Sequence, residues 1–102
     1  MIEGLVAGRL VGEAEMRDGK NATQFAVAKV RAAGGDGEPV LVNVIAFAPE
    51  ACAALRALQD GDAISLAGAL SPKVWTDKQG NTKPVMDMVA SRVLAITSLG
   101  ER

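Results

Sequence analysis

The sequence predicts an all-β domain, a five-stranded barrel with one short helix between strands 3 and 4. Three observations predict it. Short apolar runs of strand length recur along the chain, and those at residues 23–31 and 64–70 keep the two-residue period of strands. One run alone, after Pro49, keeps the 3.6-residue period of a helix. Glycines interrupt strands 1 and 4, where a small closed barrel requires sharp bends. An open five-stranded sheet with a helix on one face is the alternative that fits the same pattern.

The predicted elements follow one another without an internal repeat or a low-complexity tail. In chain order they are strand 1 (residues 5–11), strand 2 (23–31), strand 3 (40–47), a helix after Pro49, strand 4 (64–70), a hairpin (74–81) and strand 5 (85–96). Turn-forming residues lie between them, as at residues 18–21 and 34–37. A single short helix between the third and fourth of five strands is the arrangement of an OB-fold.

The faces of strand 2 and of the helix predict part of the core. Phe25 and Val27 share a face with Lys29 and Arg31. We expect the two apolar residues to point into the barrel and the two cations to reach solvent. On the helix, the apolar period predicts a buried side that consists of Ala51, Cys52, Leu55 and Leu58. Gly61 suits the C-terminal cap of this helix.

Length and composition limit the class of protein. A chain of 102 residues has room for one core, so we predict a single OB-fold domain over residues 1–102. Its one cysteine, Cys52, excludes an internal disulfide and fits a core position. The sequence shows no signal peptide and no apolar run of about 20 residues. We therefore expect a cytoplasmic protein that does not insert into a membrane.

The residue types that most enzymes and metal sites use are scarce. The chain has no histidine, the commonest general base and metal ligand at neutral pH. One cysteine cannot form a zinc cluster, and no phosphate-binding Gly-x-x-x-x-Gly-Lys loop is present. Asp60 and Asp62 resemble a carboxylate pair, but they flank a predicted turn, where aspartate is favoured for backbone hydrogen bonding. We expect a binding protein without catalytic activity, metal or cofactor.

The hairpin at residues 74–81 contains the only tryptophan, Trp75. Lys73, Lys78 and Lys83 lie around it, and turn-forming residues occupy its tip. An exposed ring beside mobile ammonium groups is suited to stack a nucleic-acid base and hold its phosphate. The alternative is a tryptophan packed on its own hairpin among solvated lysines, as most single tryptophans are structural. A net charge of −1 is a weak argument against nucleic-acid binding.

Several short segments, spread over almost the whole chain, are characteristic when taken together. They are Val6-Ala7-Gly8-Arg9-Leu10, Glu15-Met16-Arg17, Phe25-Ala26-Val27-Ala28, Val44-Ile45-Ala46-Phe47, Gly61-Asp62, Ala67-Gly68-Ala69-Leu70 and Val74-Trp75-Thr76-Asp77-Lys78-Gln79-Gly80. In this order and spacing they resemble the bacterial single-stranded DNA-binding protein family. The Trp-Thr-Asp-x-x-Gly hairpin is the most specific of these segments.

This resemblance implies an OB-fold that assembles into homo-oligomers and binds single-stranded DNA without sequence preference. The binding would use base stacking and phosphate contacts, and would serve DNA replication, recombination or repair. Replication or restart proteins are implied as further partners. The resemblance, together with the cations on the strands and the hairpin, predicts these DNA-binding residues: Trp75, Phe47, Lys73, Lys78, Lys83, Lys29, Arg31 and Arg9.

The chain also departs from the family. The family commonly has a tryptophan where Leu41 stands, and no aromatic residue lies between Lys29 and Gly37, where another is usual. Each stacked base contributes about 1–3 kcal/mol to binding. The absence of two rings would therefore lower the affinity of a single subunit for DNA. The sequence ends at Arg102, directly after the predicted last strand. We therefore expect a protein without the flexible linker and acidic tip that are usual in the family.

A short chain with few aromatic residues also resembles primosomal replication protein N, a dimeric OB-fold relative in replication restart. The second hypothesis is therefore an interaction module that acts mainly through protein contacts. We expect a homo-oligomer, a tetramer rather than a dimer. Strand 1 is the expected contact because it is apolar on both faces apart from Arg9 and would otherwise leave an unpaired edge. A charge at Val6 would then dissociate the assembly.

Overall fold

Five strands close into a barrel in the computed structural model, which describes residues 2–33 and 37–95. The elements are β1 (Ile2–Asp18), a short 3₁₀ turn (Lys20–Ala22), β2 (Gln24–Ala33), β3 (Pro39–Ala46), α1 (Pro49–Arg56), β4 (Ala63–Thr76) and β5 (Thr82–Ala95). The strands neighbour one another in the order β1-β2-β3-β5-β4, and β4 pairs back onto β1. This confirms the predicted five-stranded OB-fold with its helix between β3 and β4. Residues 34–36 of the predicted loop tip at 34–37, and Ile96 at the end of predicted strand 5, lie outside the described residues.

The first strand is much longer than predicted, and it serves two sides of the barrel. Its first half pairs with β4, from Ile2 opposite Leu70 to Arg9 opposite Ala63. Its second half pairs with β2, starting at Gly8 and running to Asp18. The polar residues after Gly12 hid this extension in the sequence, because they face solvent on an exposed hairpin arm. Residues 2–7 therefore have a strand partner on one side only, within the part of the chain that the structure describes.

Two glycines allow strands to approach each other closely. A Cβ atom at Gly8 would collide with the carbonyl oxygen of Arg31 on β2. A Cβ atom at Gly68 would collide with the carbonyl oxygen of Val89 on β5. The sequence predicts bends at these glycines, and the structure gives a more specific reason for them. Any larger residue at either position would push two paired strands apart.

The core lies between the inner faces of the strands and α1. Its largest fully buried side chains are Leu10, Leu55, Ile64, Leu66, Met88, Val30 and Val42. The predicted buried side of the helix is confirmed for Ala51, Cys52 and Leu55, and Leu58 is buried as predicted but lies just beyond the end of the helix. Among them, the Cys52 thiol donates to the carbonyl oxygen of Ala46 at 3.2 Å, as expected of a core cysteine.

The prediction for the two faces of β2 was wrong. Ala26 and Val30 are completely buried, whereas Phe25 and Val27 are only half-buried on the outer face. The reason is steric. Because α1 packs against the inner side of β2, only small or β-branched side chains fit between them. Phe25 therefore lies on the same outer face as Lys29, where it is partly accessible to solvent.

The prediction that Gly61 caps the helix was also wrong. The helix ends at Arg56, and Gly61 instead forms the turn before β4 in a left-handed conformation with φ 88°. The neighbouring carboxylates serve backbone hydrogen bonds as expected, with Asp60 accepting from the N–H of Gly12 at 2.7 Å and Asp62 from that of Gln59 at 2.8 Å. Within the described residues, no helix has the length and hydrophobicity to cross a membrane.

Candidate nucleic-acid interface

Four strands align their outward side chains into one surface, which we call the groove face. It consists of Phe25, Val27, Lys29 and Arg31 on β2, Leu41, Asn43, Ile45 and Phe47 at β3, Lys83, Val85, Asp87 and Val89 on β5, and Ala69, Ser71, Lys73 and Trp75 on β4. The strand registers place these residues in rows across the sheet. One row joins Val27, Ile45 and Val89, and the next joins Lys29, Asn43 and Asp87.

Aromatic rings lie at the two ends of the groove face. Phe47 directly follows β3 and is 50% exposed, and its ring packs against Phe25. Trp75 lies at the other end on the β4–β5 hairpin and is 55% exposed. From Phe47 back to Leu41 the distance is six residues along β3. Leu41 pairs with Val85 on β5, and two further residues along β5 lead to Lys83, which lies opposite Trp75. At about 3.3 Å per residue, this corresponds to roughly 26 Å along the sheet.

An apolar surface connects the two aromatic ends. Val27 and Ile45 are partly exposed on neighbouring strands, and Val89 beside Ile45 is 43% exposed. Leu41 and Val85 continue this surface towards the Trp75 hairpin. Exposed apolar area of this kind suits the faces of unpaired bases, which are large, flat and poorly solvated.

Two predicted cations occupy opposite positions on neighbouring strands. Arg9 on β1 lies directly across from Arg31 on β2. Like charges at such positions repel each other, which disfavours the pair unless an anion lies between them. Arg9 also donates to the carbonyl oxygen of Gly61 at 2.9 Å, so one of its nitrogens is already occupied. Neither arginine forms an ion pair with a described residue.

The three predicted lysines of the hairpin have different surroundings. Lys83 lies directly across from Trp75, and exposed Lys78 lies at the tip of the hairpin. Lys73 lies further down the groove face, where its ammonium nitrogen is 2.9 Å from a carboxylate oxygen of Asp87. Lys73 is therefore already paired within the protein, which the sequence did not indicate.

A network of polar side chains surrounds Asp87 in the middle of the groove face. The Asn43 amide donates to the second carboxylate oxygen of Asp87 at 3.3 Å. The pKa of Asp87 lies below its ordinary value, and the main cause is the hydrogen bond from Lys73. The hydrogen bond from Asn43 lowers this pKa further. Asp87 is thus a persistent negative charge in the middle of this surface.

The tip of the Trp75 hairpin is held by a single carboxylate. Asp77 accepts hydrogen bonds from the backbone N–H groups of Asn81 and Gln79, both at 2.9 Å. The Asn81 hydrogen bond is the main cause that lowers the pKa of Asp77. Gly80 completes the turn with a positive φ of 85°. This tip fixes the pairing of Trp75 with Lys83 and so the position of the ring.

The predicted residues Trp75, Phe47, Lys29 and Arg31 therefore lie together on one surface, with Lys73 and Lys83. Arg9 borders this surface through its pairing with Arg31, and Lys78 lies beyond its hairpin end. The sequence prediction missed Phe25, because that residue was assigned to the core. It also missed the pairing of Asp87, because contacts across strands 4 and 5 depend on register. No group of three or more His, Cys, Asp or Glu within residues 2–33 and 37–95 could hold a metal ion.

Comparisons with known proteins agree with this architecture. The chain is similar in structure to the small single-stranded DNA-binding protein from Streptomyces coelicolor, with a TM-score of 0.73, 17% identity, and coverage of 93% of this chain and 94% of that chain. It is also similar to Rim1, a mitochondrial single-stranded DNA binding protein from S. cerevisiae, with a TM-score of 0.68, 14% identity and the same coverage. These identities are low, so the two likenesses show the fold alone. No curated protein sequence matches the chain significantly.

A family comparison goes further than the structural likeness. The model described as "Single-strand binding protein family" matches residues 1–96. The match includes every residue of the groove face and all five strands. The chain belongs to the single-strand binding protein family.

Proposed function

We propose that the groove face is the surface with which this chain binds single-stranded DNA, without sequence preference. Bases would stack on Phe47 and Trp75 and pass over the apolar surface between them. Arg9, Arg31, Lys29 and Lys83 would contact phosphates along its borders, with Lys78 at the hairpin tip and Lys73 as a further contact. A length of roughly 26 Å agrees with the several nucleotides that one OB-fold accommodates.

The observation that carries this proposal is the alignment of two exposed aromatic rings on one surface. A large ring left half-exposed costs solvation free energy that burial would recover, so a pair of such rings on one surface favours a ligand with flat apolar faces. Unpaired bases have these faces, whereas the bases of a duplex are already stacked on one another. We therefore expect preference for single strands over duplex.

Fluorescence of Trp75 tests the proposal directly, because the chain has no other tryptophan. Addition of oligo(dT) at low salt should quench the emission, while a duplex of the same length should quench it far less. Affinity should also fall as salt is added, because phosphate contacts release counterions. An unchanged emission at high oligo(dT) concentration would contradict the assignment of this face and support the interaction-module hypothesis. The family match does not favour that second hypothesis, which named primosomal replication protein N.

A homo-oligomer completes the proposal, and we favour a tetramer over a dimer. Residues 2–7 of β1 present an unpaired strand edge, within the described chain, and Leu5 on this segment is 81% exposed. Leu94 on β5 is 67% exposed on the same side of the barrel. It pairs with Ser65 on β4, which in turn pairs with Ala7 on β1. A strand edge beside apolar residues can pair with its own copy around a two-fold axis.

The structure changes which residue tests this contact. Val6 packs against the core, so a charge there would disturb folding and would say little about assembly. Leu5 points outward beside Ala67 and is the better position. We further propose, from the family, a role in DNA replication, recombination or repair with replication or restart proteins as partners, a cytoplasmic location, and no enzymatic activity.

A further inference from the structure

The charges in the middle of the groove face balance one another. The described residues around this part of the surface include three cations, Arg17, Lys29 and Lys73, and three carboxylates, Glu13, Glu15 and Asp87. Arg17 pairs with Glu15 at 3.4 Å, and Lys73 pairs with Asp87 at 2.9 Å. Of these cations, Lys29 alone has no carboxylate partner among the described residues. A surface meant only to attract phosphate would not carry as many carboxylates as cations.

Asp87 differs from the other two carboxylates in its position and its partners. Its side chain is 38% exposed, against 68% for Glu15, and it lies between Asn43 and Ser71 in the strand registers. It is bonded on one oxygen by Lys73 and on the other by Asn43. Because both bonds are made by side chains of the groove face, the carboxylate is fixed at the place where the DNA backbone or bases must pass.

We infer that Asp87 is an internal competitor for phosphate, which holds Lys73 until DNA displaces it and thereby limits the affinity of this site. A phosphate oxygen and a carboxylate oxygen accept the same charge-assisted hydrogen bond from a lysine. Binding of DNA through Lys73 therefore exchanges one anion for another, and gains less free energy than a contact made by an unpaired lysine. This inference rests on the proposed DNA-binding face.

Competition by Asp87 predicts that its removal strengthens DNA binding. With Asp87→Asn, the carboxylate is lost while an amide of nearly the same shape remains to bond Asn43. The released Lys73 should then contact phosphate, so oligo(dT) should bind about two- to fivefold more tightly, the range expected for removal of one exposed ion pair. The plot of log affinity against log salt should become steeper by about 0.7, the value for one more neutralised phosphate of a single strand.

Loss of any negative charge near DNA strengthens binding to some extent, so the experiment needs two controls. Glu13→Gln removes the same charge from the same surface, but Glu13 has no cation partner among the described residues. It should strengthen binding less than Asp87→Asn and leave the salt slope nearly unchanged. Lys73→Met should also reduce the effect of Asp87→Asn to that of Glu13→Gln, because no lysine remains to be released.

Affinities for oligo(dT) are measured by Trp75 fluorescence between low and moderate salt, on the full chain and its variants. Thermal unfolding of each variant shows whether it is folded, and Asp87→Ser serves as a second variant should the asparagine disturb the strand. Equal gains from Asp87→Asn with and without Lys73 would overturn the inference, and so would weaker binding by Asp87→Asn. If the unmodified chain does not bind oligo(dT), the proposed function fails. If it binds and Lys29→Met weakens it, but Asp87→Asn changes nothing, this inference alone fails.

Discussion

The rings of Phe25 and Phe47 pack against each other, with centroids 5.8 Å apart and planes tilted by 47°. Such a pair contributes about 0.5–1.5 kcal/mol beyond the burial of its area. Its effect here is to restrain Phe47, whose outer side remains open to solvent. A restrained ring loses less rotamer freedom when a base stacks on it, so Phe25 supports the platform that Phe47 offers.

The first prediction concerns this platform. Phe47→Ala should weaken binding of oligo(dT) by about 1–3 kcal/mol, the range measured for one stacked base. Phe25→Leu should weaken it less, because it removes the support and leaves the stacking ring. Titrations followed by Trp75 fluorescence measure both. Equal affinity of Phe47→Ala and the unmodified chain would remove this end of the groove face from the site.

The second prediction concerns the opposite end of the groove face. Trp75→Ala should weaken binding by about 1–3 kcal/mol without changing the fold or the oligomeric state. Val74→Ala is the matched control, because Val74 is the adjacent residue, is 70% exposed and points to the other side of the hairpin. Fluorescence anisotropy of a labelled oligo(dT) measures both variants. Unfolding of Trp75→Ala would mean that the ring is structural.

How far the sequence could predict this molecule depends on the range of the interactions involved. The helix between β3 and β4, its apolar side and the Trp75 hairpin are local patterns, and they were predicted correctly. The orientation of Phe25 was not, because it depends on how much room α1 leaves above β2. The pairing of Lys73 with Asp87 could not be predicted either, since it requires the register of two strands that the sequence does not specify.

The third prediction uses a position where the register is now known. Leu41 lies on the groove face between Arg31 and Val85. Leu41→Trp should add a ring on the path between Phe47 and Trp75, and so strengthen oligo(dT) binding by up to about 1–3 kcal/mol. The control is the same new residue at Val74, which is 70% exposed and points to the side of the hairpin opposite Trp75. Binding that does not improve, or improves equally in both, would mean that DNA does not cross β3 at Leu41.

The fourth prediction concerns acid stability. The pKa of Asp77 is lowered, first by the backbone hydrogen bond from Asn81, and that of Asp87 is lowered, first by Lys73. Since both folded-state values lie below the unfolded-state value of about 3.9, the unfolded chain binds these protons first as the pH falls. Their stabilisation is therefore complete above that value and is lost as the pH drops through the folded-state values.

Thermal unfolding measured from neutral pH down to about pH 2 tests this loss. The unfolding temperature should fall from about pH 5 downward, and Asp77→Asn should make the fall shallower. Glu13→Gln is the control, because Glu13 accepts no side-chain hydrogen bond or ion pair from the described residues. A fall of the same steepness in Asp77→Asn would show that the hairpin tip does not contribute.

The last prediction connects assembly to affinity. Leu5→Glu places a charge on the outward side of the unpaired segment of β1, where self-pairing would bury it without a partner. The oligomer should dissociate to smaller species, as measured by light scattering at micromolar concentration. Val74→Glu, an equally drastic change at an exposed valine of the hairpin, should leave the mass unchanged.

Dissociation should also weaken binding of long DNA much more than binding of a short oligo(dT). Each subunit offers two exposed rings, and the charges in the middle of its groove face balance one another, so a single site is weak. Linked sites on one strand raise the effective concentration for each next contact, and gains in affinity of about 10²–10⁴-fold are possible without any new contact. If Leu5→Glu is smaller than the parent and still binds long DNA as tightly, then the subunits of this protein bind independently, and its affinity must come from the groove face alone.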